Sequence, residues 1–446
     1  MNATMTEAPK RLPLIGNLAA LASGRLSYLE ELTPLADIVE LRVGPQRFYQ
    51  VNNPDLLHKI MTVDSDKYDK GKFFENVSMF LGNGLLTCSK GEHRKQRRMI
   101  QPAFHHAELR RYSEFMAACA VKQVDSYQDG QVLDVYVELQ KLTMLLMTKT
   151  IFSADDYDSV TEDLGRVLPV FLKGILSKTM MPDFLNKVPT PGNRRFDRAR
   201  DTMRGSVRSA IQRYRAEESD LGDLMSLLLA ARDTDGSSLD DEMLVDQVVT
   251  FMMAGSETTA STMCWFLHAM TSMPELGQRI RAEIAEVVGD RTPTVDDMPK
   301  LGTLQHSLFE TLRLYNPVWF QTRRSLTAVS LGGNEFEAGT NFIYSPAAIH
   351  RDPRMFTDPL EFKPERWIDP SHPRTAYIPF GSGARKCIGD SFSMISMHLA
   401  LVALVQRWSF SPVDADKVMP FAGAVLHPQH LRLRLTSRKA AALAQS

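Results

Sequence analysis

From Pro191 to Pro274 the chain carries no proline, so over that distance no ring forces the backbone out of a helix. Its last part, Asp241 to Ser272, reads as one helix of about 30 residues, about 45 Å long at the helical rise. Such a helix crosses a whole domain, and the rest of the fold must be arranged around it. The most apolar window, Gln247 to Met270, holds Glu257 near its centre together with several Ser and Thr. A buried core helix fits it better than a bilayer span. The N-terminal apolar run is short and broken by Pro13, Gly16 and Asn17, which suits neither a span nor a signal peptide.

Strand signals are few. "IVELRVGPQRFYQVNN" (38–53) alternates around Gly44-Pro45 as a hairpin does, Arg324 to Tyr344 turns at Gly332-Gly333-Asn334, and "LRLRL" (431–435) alternates again. Nearly everything else has helical period, with no repeat and no linker. The expectation is one mainly α domain over residues 1–446, with a small β portion near 38–53, 324–345 and 424–436. Basic and acidic residues nearly cancel, 52 against 53, so no global charge argues for nucleic acid and any electrostatic partner site must be local. The four cysteines form no CxxC pair, which speaks against zinc and a disulfide scaffold and suits a reducing compartment. Cys88, Cys119 and Cys264 read as small buried hydrophobes.

The fourth, Cys387, stands in "PFGSGARKCIGD" (379–390). A Walker loop fails there because Lys386 precedes Cys387 instead of Ser or Thr, and a dinucleotide fingerprint fails because Lys386 occupies the third glycine position. A thiolate site explains more of the residues. The apolar helical stretch after Gly389 puts Cys387 just before or at a helix N-terminus, where unpaired N–H groups stabilise anionic sulfur. The glycines would let backbone approach the sulfur closely, as a large flat cofactor also requires.

Phe380, Gly383, Arg385, Cys387 and Gly389 together match FxxGxRxCxG, and the loop resembles the proximal heme loop of the cytochrome P-450 superfamily. That resemblance implies Cys387 as the thiolate ligand of iron, a ligand that pushes electron density toward O–O cleavage, with Phe380 and Gly381 beside the heme. It implies the cytochrome P-450 fold, with heme b (iron protoporphyrin IX) between the long central helix and the helix after the cysteine loop. Mid-helix, "AGSETT" (254–259) resembles the family's oxygen groove. Ala254 would face the heme, and Glu257 with Thr258 would relay protons to dioxygen. Gly255 and a local irregularity would leave room for oxygen and its water. The plainer reading is a kinked helix whose hydroxyls bond back one turn.

Three further motifs occur in the family's order. Glu310 and Arg313 form an ExxR pair, Arg366 sits in "FKPERW" (362–367), and "HRDP" (350–353) lies between them; Glu310, Arg313 and Arg366 would form a structural triad. In "GEHRKQRRMIQPAF" (91–104), His93 and Arg97 share a helix face and match the family's propionate donors, as do Arg323 and Arg385. His93 stands where Trp is common in the family.

The reaction this implies is monooxygenation of a small apolar molecule by O2. The pocket walls would come from 73–86, 168–185, 251–254, 317–321 and 424–428, with Phe73, Phe74, Phe80, Phe251, Val318, Phe320 and Leu426 as substrate contacts; core packing competes for each. Stretches such as "FIYSPAAIHRDP" resemble actinobacterial terpene oxidisers and suggest a sesquiterpene-like terpenoid. A polyketide or fatty acid is the alternative substrate, and a peroxygenase or isomerase the alternative chemistry. A peroxygenase or isomerase has no need of the Glu257–Thr258 pair, and a heme sensor would carry a signalling module. Electrons would come from a ferredoxin- or flavodoxin-type partner with its reductase. Lys90, Arg94, Lys95, Arg98 and Lys386 are candidates to dock it. A cytoplasmic monomer without a membrane anchor and without nucleic acid completes the expectation.

Overall fold

The computed structural model describes residues 2–153, 158–181, 183–217 and 221–438. The chain forms two compact units, each built from two stretches of sequence: Met1–Glu75 with His306–Cys387, and Asn76–Gln305 with Ile388–Ser446.

The first unit is organised on a six-stranded mixed sheet. Ile38–Val43 and Gln46–Val51 pair antiparallel, with Val43 opposite Gln46. The expected hairpin therefore turns in two residues, and Gly44 supplies the positive φ of 59° that such turns demand. Met5–Glu7 adds parallel on one side of the pair. On the other side Asn341–Tyr344 is parallel to Gln46–Val51, and Gln321–Ser325 and then Tyr68–Asp69 follow antiparallel. Ile38, Val51, Leu57, Ile60, Phe342 and Ile378 bury their side chains together beneath it.

The second unit is nearly all helix. The helices that bear on the site are α1 (Lys90–Ile100), α2 (Val135–Ile151), α3 (Pro191–Glu217), α4 (Asp241–Ser272), α5 (Gly302–Leu314, mostly in the first unit) and α6 (Asp390–Arg407). The bounds of α4 are those the sequence predicts. Asp240 caps it by accepting from the Met243 N–H at 2.8 Å, and Asp241 with Glu242 places negative charge in its first turn, where the helix dipole favours it. Pro274 follows its end. It is buried over most of its length, and no helix among the described residues is long and apolar enough to cross a membrane.

The C-terminal alternation forms a strand at Arg432–Ser437, pairing with Trp408–Val413 and Val132–Asp134. Leu433 and Leu435 point inward while Arg432 and Arg434 are exposed. A separate hairpin joins Met419–Ala422 to Leu426–Gln429.

Candidate active site

The cysteine loop is shaped by its own backbone. Gly381 N–H donates to Ile378 O at 3.0 Å, Lys386 N–H to Gly383 O at 3.0 Å, and Cys387 N–H to Phe380 O at 2.9 Å. Cys387 itself is exposed and lies three residues ahead of Asp390, where α6 begins, as the sequence implies. Gly383 has φ 67°, and a Cβ there would lie 1.8 Å from the Met61 carbonyl oxygen. That glycine is required for close packing on residue 61. Gly381 has φ 72°, a backbone conformation that favours glycine.

The chain entering this loop is hung from α5. Glu310 and Arg313 are fully buried and meet through two parallel bonds, Nε to Oε2 at 2.9 Å and Nη2 to Oε1 at 2.8 Å. Arg366 Nε, Trp367 Nε1 and the Lys363 amide add donors to the same carboxylate. Arg313 also donates to the carbonyls of His350, Pro359 and Glu361. The three residues expected to form a structural triad are thus in direct contact, and a buried pair so fully bonded is the form in which such charges are tolerated.

His350 extends the network. Its Nε2 accepts the Ile378 N–H at 3.0 Å, while its Nδ1 lies 3.2 Å from Arg313 O. Asn316 Nδ2 donates to Pro379 O at 3.3 Å, and the Tyr377 hydroxyl to Phe309 O at 3.1 Å. His350, Asn316, Trp367 and Tyr377 lie in the sequence motifs or beside them, but sequence reasoning assigned them no role. Their spacing in sequence carries no signal, because each reaches main chain or a carboxylate that only the fold brings near.

Arg323 lies on Gln321–Ser325 and is buried. Its guanidinium donates to Thr322 O at 2.8 Å and stacks 5.5 Å from the Tyr344 ring centroid. Among the described residues no carboxylate is within ion-pair distance of it. A buried guanidinium is costly without an anion, and a heme propionate is the group that would satisfy it. Arg385 instead meets the Asp69 carboxylate at 3.0 Å. His93 is buried on α1 and Arg97, one turn on, is half-buried.

In the middle of α4, Met253, Ala254, Gly255 and Thr258 are half-buried between long buried stretches on either side. Ala254 and Thr258, at i and i+4, thus share an open strip of an otherwise covered helix. The helix is unbroken here, so the expected irregularity is absent. A Cβ on Gly255 would lie 2.6 Å from Met147 Cε of α2, so the glycine serves close helix packing. The Thr258 hydroxyl donates to Ala254 O at 2.7 Å and Ser256 to Met252 O at 2.5 Å, which is the back-bonded arrangement of the plainer reading. Glu257 is buried, and its Oε1 accepts from the Tyr136 hydroxyl of α2 at 3.1 Å. Burial pushes its pKa up to about 7, against the smaller opposing effect of that hydrogen bond.

The apolar candidates divide. In the first unit Phe73 meets Phe74 and Phe320 edge-on, both at 5.3 Å, and Val318 is half-buried. In the second, Phe80 packs on Phe196, and Phe251 on Phe104, which in turn meets Phe392. Phe251 is therefore held in an aromatic core cluster. The Leu426 carbonyl accepts from Ser261 Oγ and Trp265 Nε1 of α4, which seats its strand on the helix. Of the expected basic patch, Arg98 is paired with Asp233 at 2.5 Å and Lys95 with Asp235 at 3.3 Å. Those two charges are largely neutralised; Arg94 is exposed and Lys90 half-buried on the same helix, and Lys386 is exposed in the cysteine loop.

In the first unit Cys387 is exposed and Arg323 is buried with no carboxylate beside it among the described residues; in the second, Glu257 and Thr258 are adjacent on α4. The family model for cytochrome P-450 matches residues 7–435. The chain is 38% identical to cyclooctat-9-en-7-ol 5-monooxygenase of Streptomyces melanosporofaciens, covering 92% of this chain and 90% of that protein. It is 34% identical to pentalenene oxygenase of Streptomyces avermitilis over 97% of each. Cyclooctatin synthase of Streptomyces melanosporofaciens is 36% identical over 93% of this chain and 92% of its own. This chain belongs to the cytochrome P-450 family; it is a monooxygenase whose cofactor is heme b.

Proposed function

We propose that the enzyme hydroxylates a cyclic, sesquiterpene-like terpenoid. The observation that carries this substrate class is the similarity, over more than nine-tenths of the chain, to proteins named for pentalenene and cyclooctat-9-en-7-ol. By their name endings these are a hydrocarbon and a mono-alcohol, molecules with almost no polar handle. The edge-on rings of Phe73, Phe74 and Phe320 suit such a ligand, because they offer area and shape without hydrogen-bonding groups.

Cys387 would hold the iron, and Arg323, with Arg385, His93 and Arg97, the propionates; Phe380, Gly381 and Ala254 would flank the ring. When bound, heme b activates O2 so that one oxygen atom enters the substrate and the other leaves as water. Glu257, with a pKa near neutrality, exists in both forms at working pH and can hold and release a proton at its carboxyl. The Thr258 hydroxyl spends its hydrogen on Ala254 O and keeps its oxygen lone pairs to accept. To donate outward it must turn from that carbonyl. Electrons come from a ferredoxin- or flavodoxin-type partner with its reductase, and Arg94 and Lys386, two exposed cations of the expected patch, are the first candidates to meet it. The enzyme works as a cytoplasmic monomer.

The test is a spin-state titration of the ferric protein against cyclic sesquiterpenes, diterpene alcohols, fatty acids and polyketide acids, followed by turnover with a ferredoxin pair. Terpenoids should give the low-spin to high-spin shift and a product heavier by one oxygen. A shift and product with the acids alone would replace this reading by the fatty-acid or polyketide one.

A further inference from the structure

Glu257 is held by a cluster that the acid–alcohol motif does not include. Its one hydrogen-bond partner among the described residues is Tyr136, in the first turn of α2. The Tyr136 ring lies flat on the His427 imidazole, with centroids 4.1 Å apart and planes 6° from parallel. His427 belongs to the strand Leu426–Gln429, leans on Phe421 across its hairpin and has Nδ1 3.2 Å from Pro428 O. That strand is itself tied to α4 through Leu426 O. The phenol is thus backed by a stacked ring, with its hydroxyl aimed at one carboxylate oxygen.

We propose that Tyr136 is a positioning residue for Glu257: with His427 as its backing, it keeps the carboxyl turned toward α2 and controls the pH range over which the proton is released. The functional half rests on reading Glu257 as the proton source for Thr258. A phenol O–H can donate to a carboxylate but adds little to a protonated acid, so the bond favours the ionised form. It opposes the burial that favours the neutral form. The other titratable groups around the cluster are His427 from the hairpin, Cys264 from α4 itself and Asp134 at the cap of α2. Burial keeps the Cys264 thiol and the His427 imidazole uncharged near neutral pH. Asp134 faces solvent, which leaves Tyr136 as the side chain among the described residues that acts on the carboxyl against its burial.

The experiment is Tyr136→Phe in the heme-loaded protein, with His427→Phe as a second variant that keeps a stacked ring. Infrared difference spectra against Glu257→Gln follow the carboxyl C=O band through a pH titration, and the product formed per electron consumed is measured in parallel. In Tyr136→Phe the band should persist to a pH higher by about one unit, a tenfold change in proton affinity, while His427→Phe should move it less. An unmoved midpoint in Tyr136→Phe overturns the inference. A midpoint that moves while coupling and its pH profile stay fixed supports the Tyr136–Glu257 link and removes Glu257 from proton delivery, so the two readings fail separately.

Discussion

The His350 imidazole joins the Arg313 backbone of α5 to the cysteine loop by two bonds. Because the Ile378 amide donates to Nε2 at 3.0 Å, that nitrogen carries no hydrogen. The ring's proton therefore sits on Nδ1, which donates to Arg313 O at 3.2 Å. His350→Ala would leave a buried N–H and a buried carbonyl unpaired, at about 1–3 kcal/mol for each group. Thermal unfolding should shift down accordingly, and the carbon monoxide difference spectrum of the reduced protein should lose part of its thiolate red shift. A variant with an unchanged Soret position would show that the loop does not depend on this bond.

The same histidine makes the first unit acid-sensitive. Burial, then the nearby Arg313 charge, pulls the His350 pKa from 6.5 down to about 3. The unfolded chain takes up this proton more readily than the native one, so its contribution to stability falls as pH drops below 6.5. The slope is about 1.4 kcal/mol per pH unit and ends near pH 3. Urea midpoints at pH 7, 6 and 5 should decline more steeply in the wild type than in His350→Gln.

Removing one member of the Glu310–Arg313 pair strands a charge in a dry site, and Glu310→Ala or Arg313→Ala should cost about 3–5 kcal/mol. Arg366 keeps 13% of its side chain exposed, so Arg366→Ala should cost less, about 1–2 kcal/mol. Heme content after expression and melting temperature should fall furthest in the first two variants and least in Arg366→Ala.

Glu257 should destabilise the fold as pH rises. Its pKa of about 7 stands above the ordinary 4.5, so between those values the native state holds a proton that the unfolded state has lost. The accumulated penalty above pH 7 is about 3 kcal/mol. Glu257→Gln should therefore melt higher than wild type at pH 8, and the gap should close at pH 5.

Gly383→Ala and Gly381→Ala separate two uses of glycine. Both residues have positive φ, which costs an alanine about 1–2 kcal/mol. Only at 383 would the new methyl also strike a backbone oxygen, that of Met61. Gly383→Ala should therefore lose more stability than Gly381→Ala, read as a lower melting temperature of the heme-free protein.

What the sequence made legible was what repeats locally. The long α4 follows from the proline-free stretch that ends at Pro274, and the first hairpin from alternation around Gly44-Pro45. Met5–Glu7 and Val132–Asp134 are three-residue strands with too few positions to alternate, and only distant partners make them strands. The Glu310–Arg313–Arg366 contact was legible because the motif itself names its members. Tyr136 was not, since nothing at residue 136 announces that an acid 121 positions away will need its hydroxyl. At Gly255 and Gly383 a sequence shows that room is needed but not that Met147 and Met61 are among the neighbours that need it. The charges on Lys95 and Arg98 were likewise visible, while their partners at 233 and 235 lie across a fold the local pattern does not reach.

The suspension of the cysteine loop has a consequence for how such a chain can change over generations. Arg313, His350, Asn316 and Tyr377 all grip main-chain atoms, at His350, Pro359, Glu361, Ile378, Pro379 and Phe309. A peptide group looks much the same whatever side chain it carries. At Pro359, Glu361, Ile378 and Phe309 these bonds therefore leave the residue type open to drift, while the gripping side chains are held. A lineage can thus rewrite much of the loop's surroundings, and with it the molecules it meets, without loosening the thiolate.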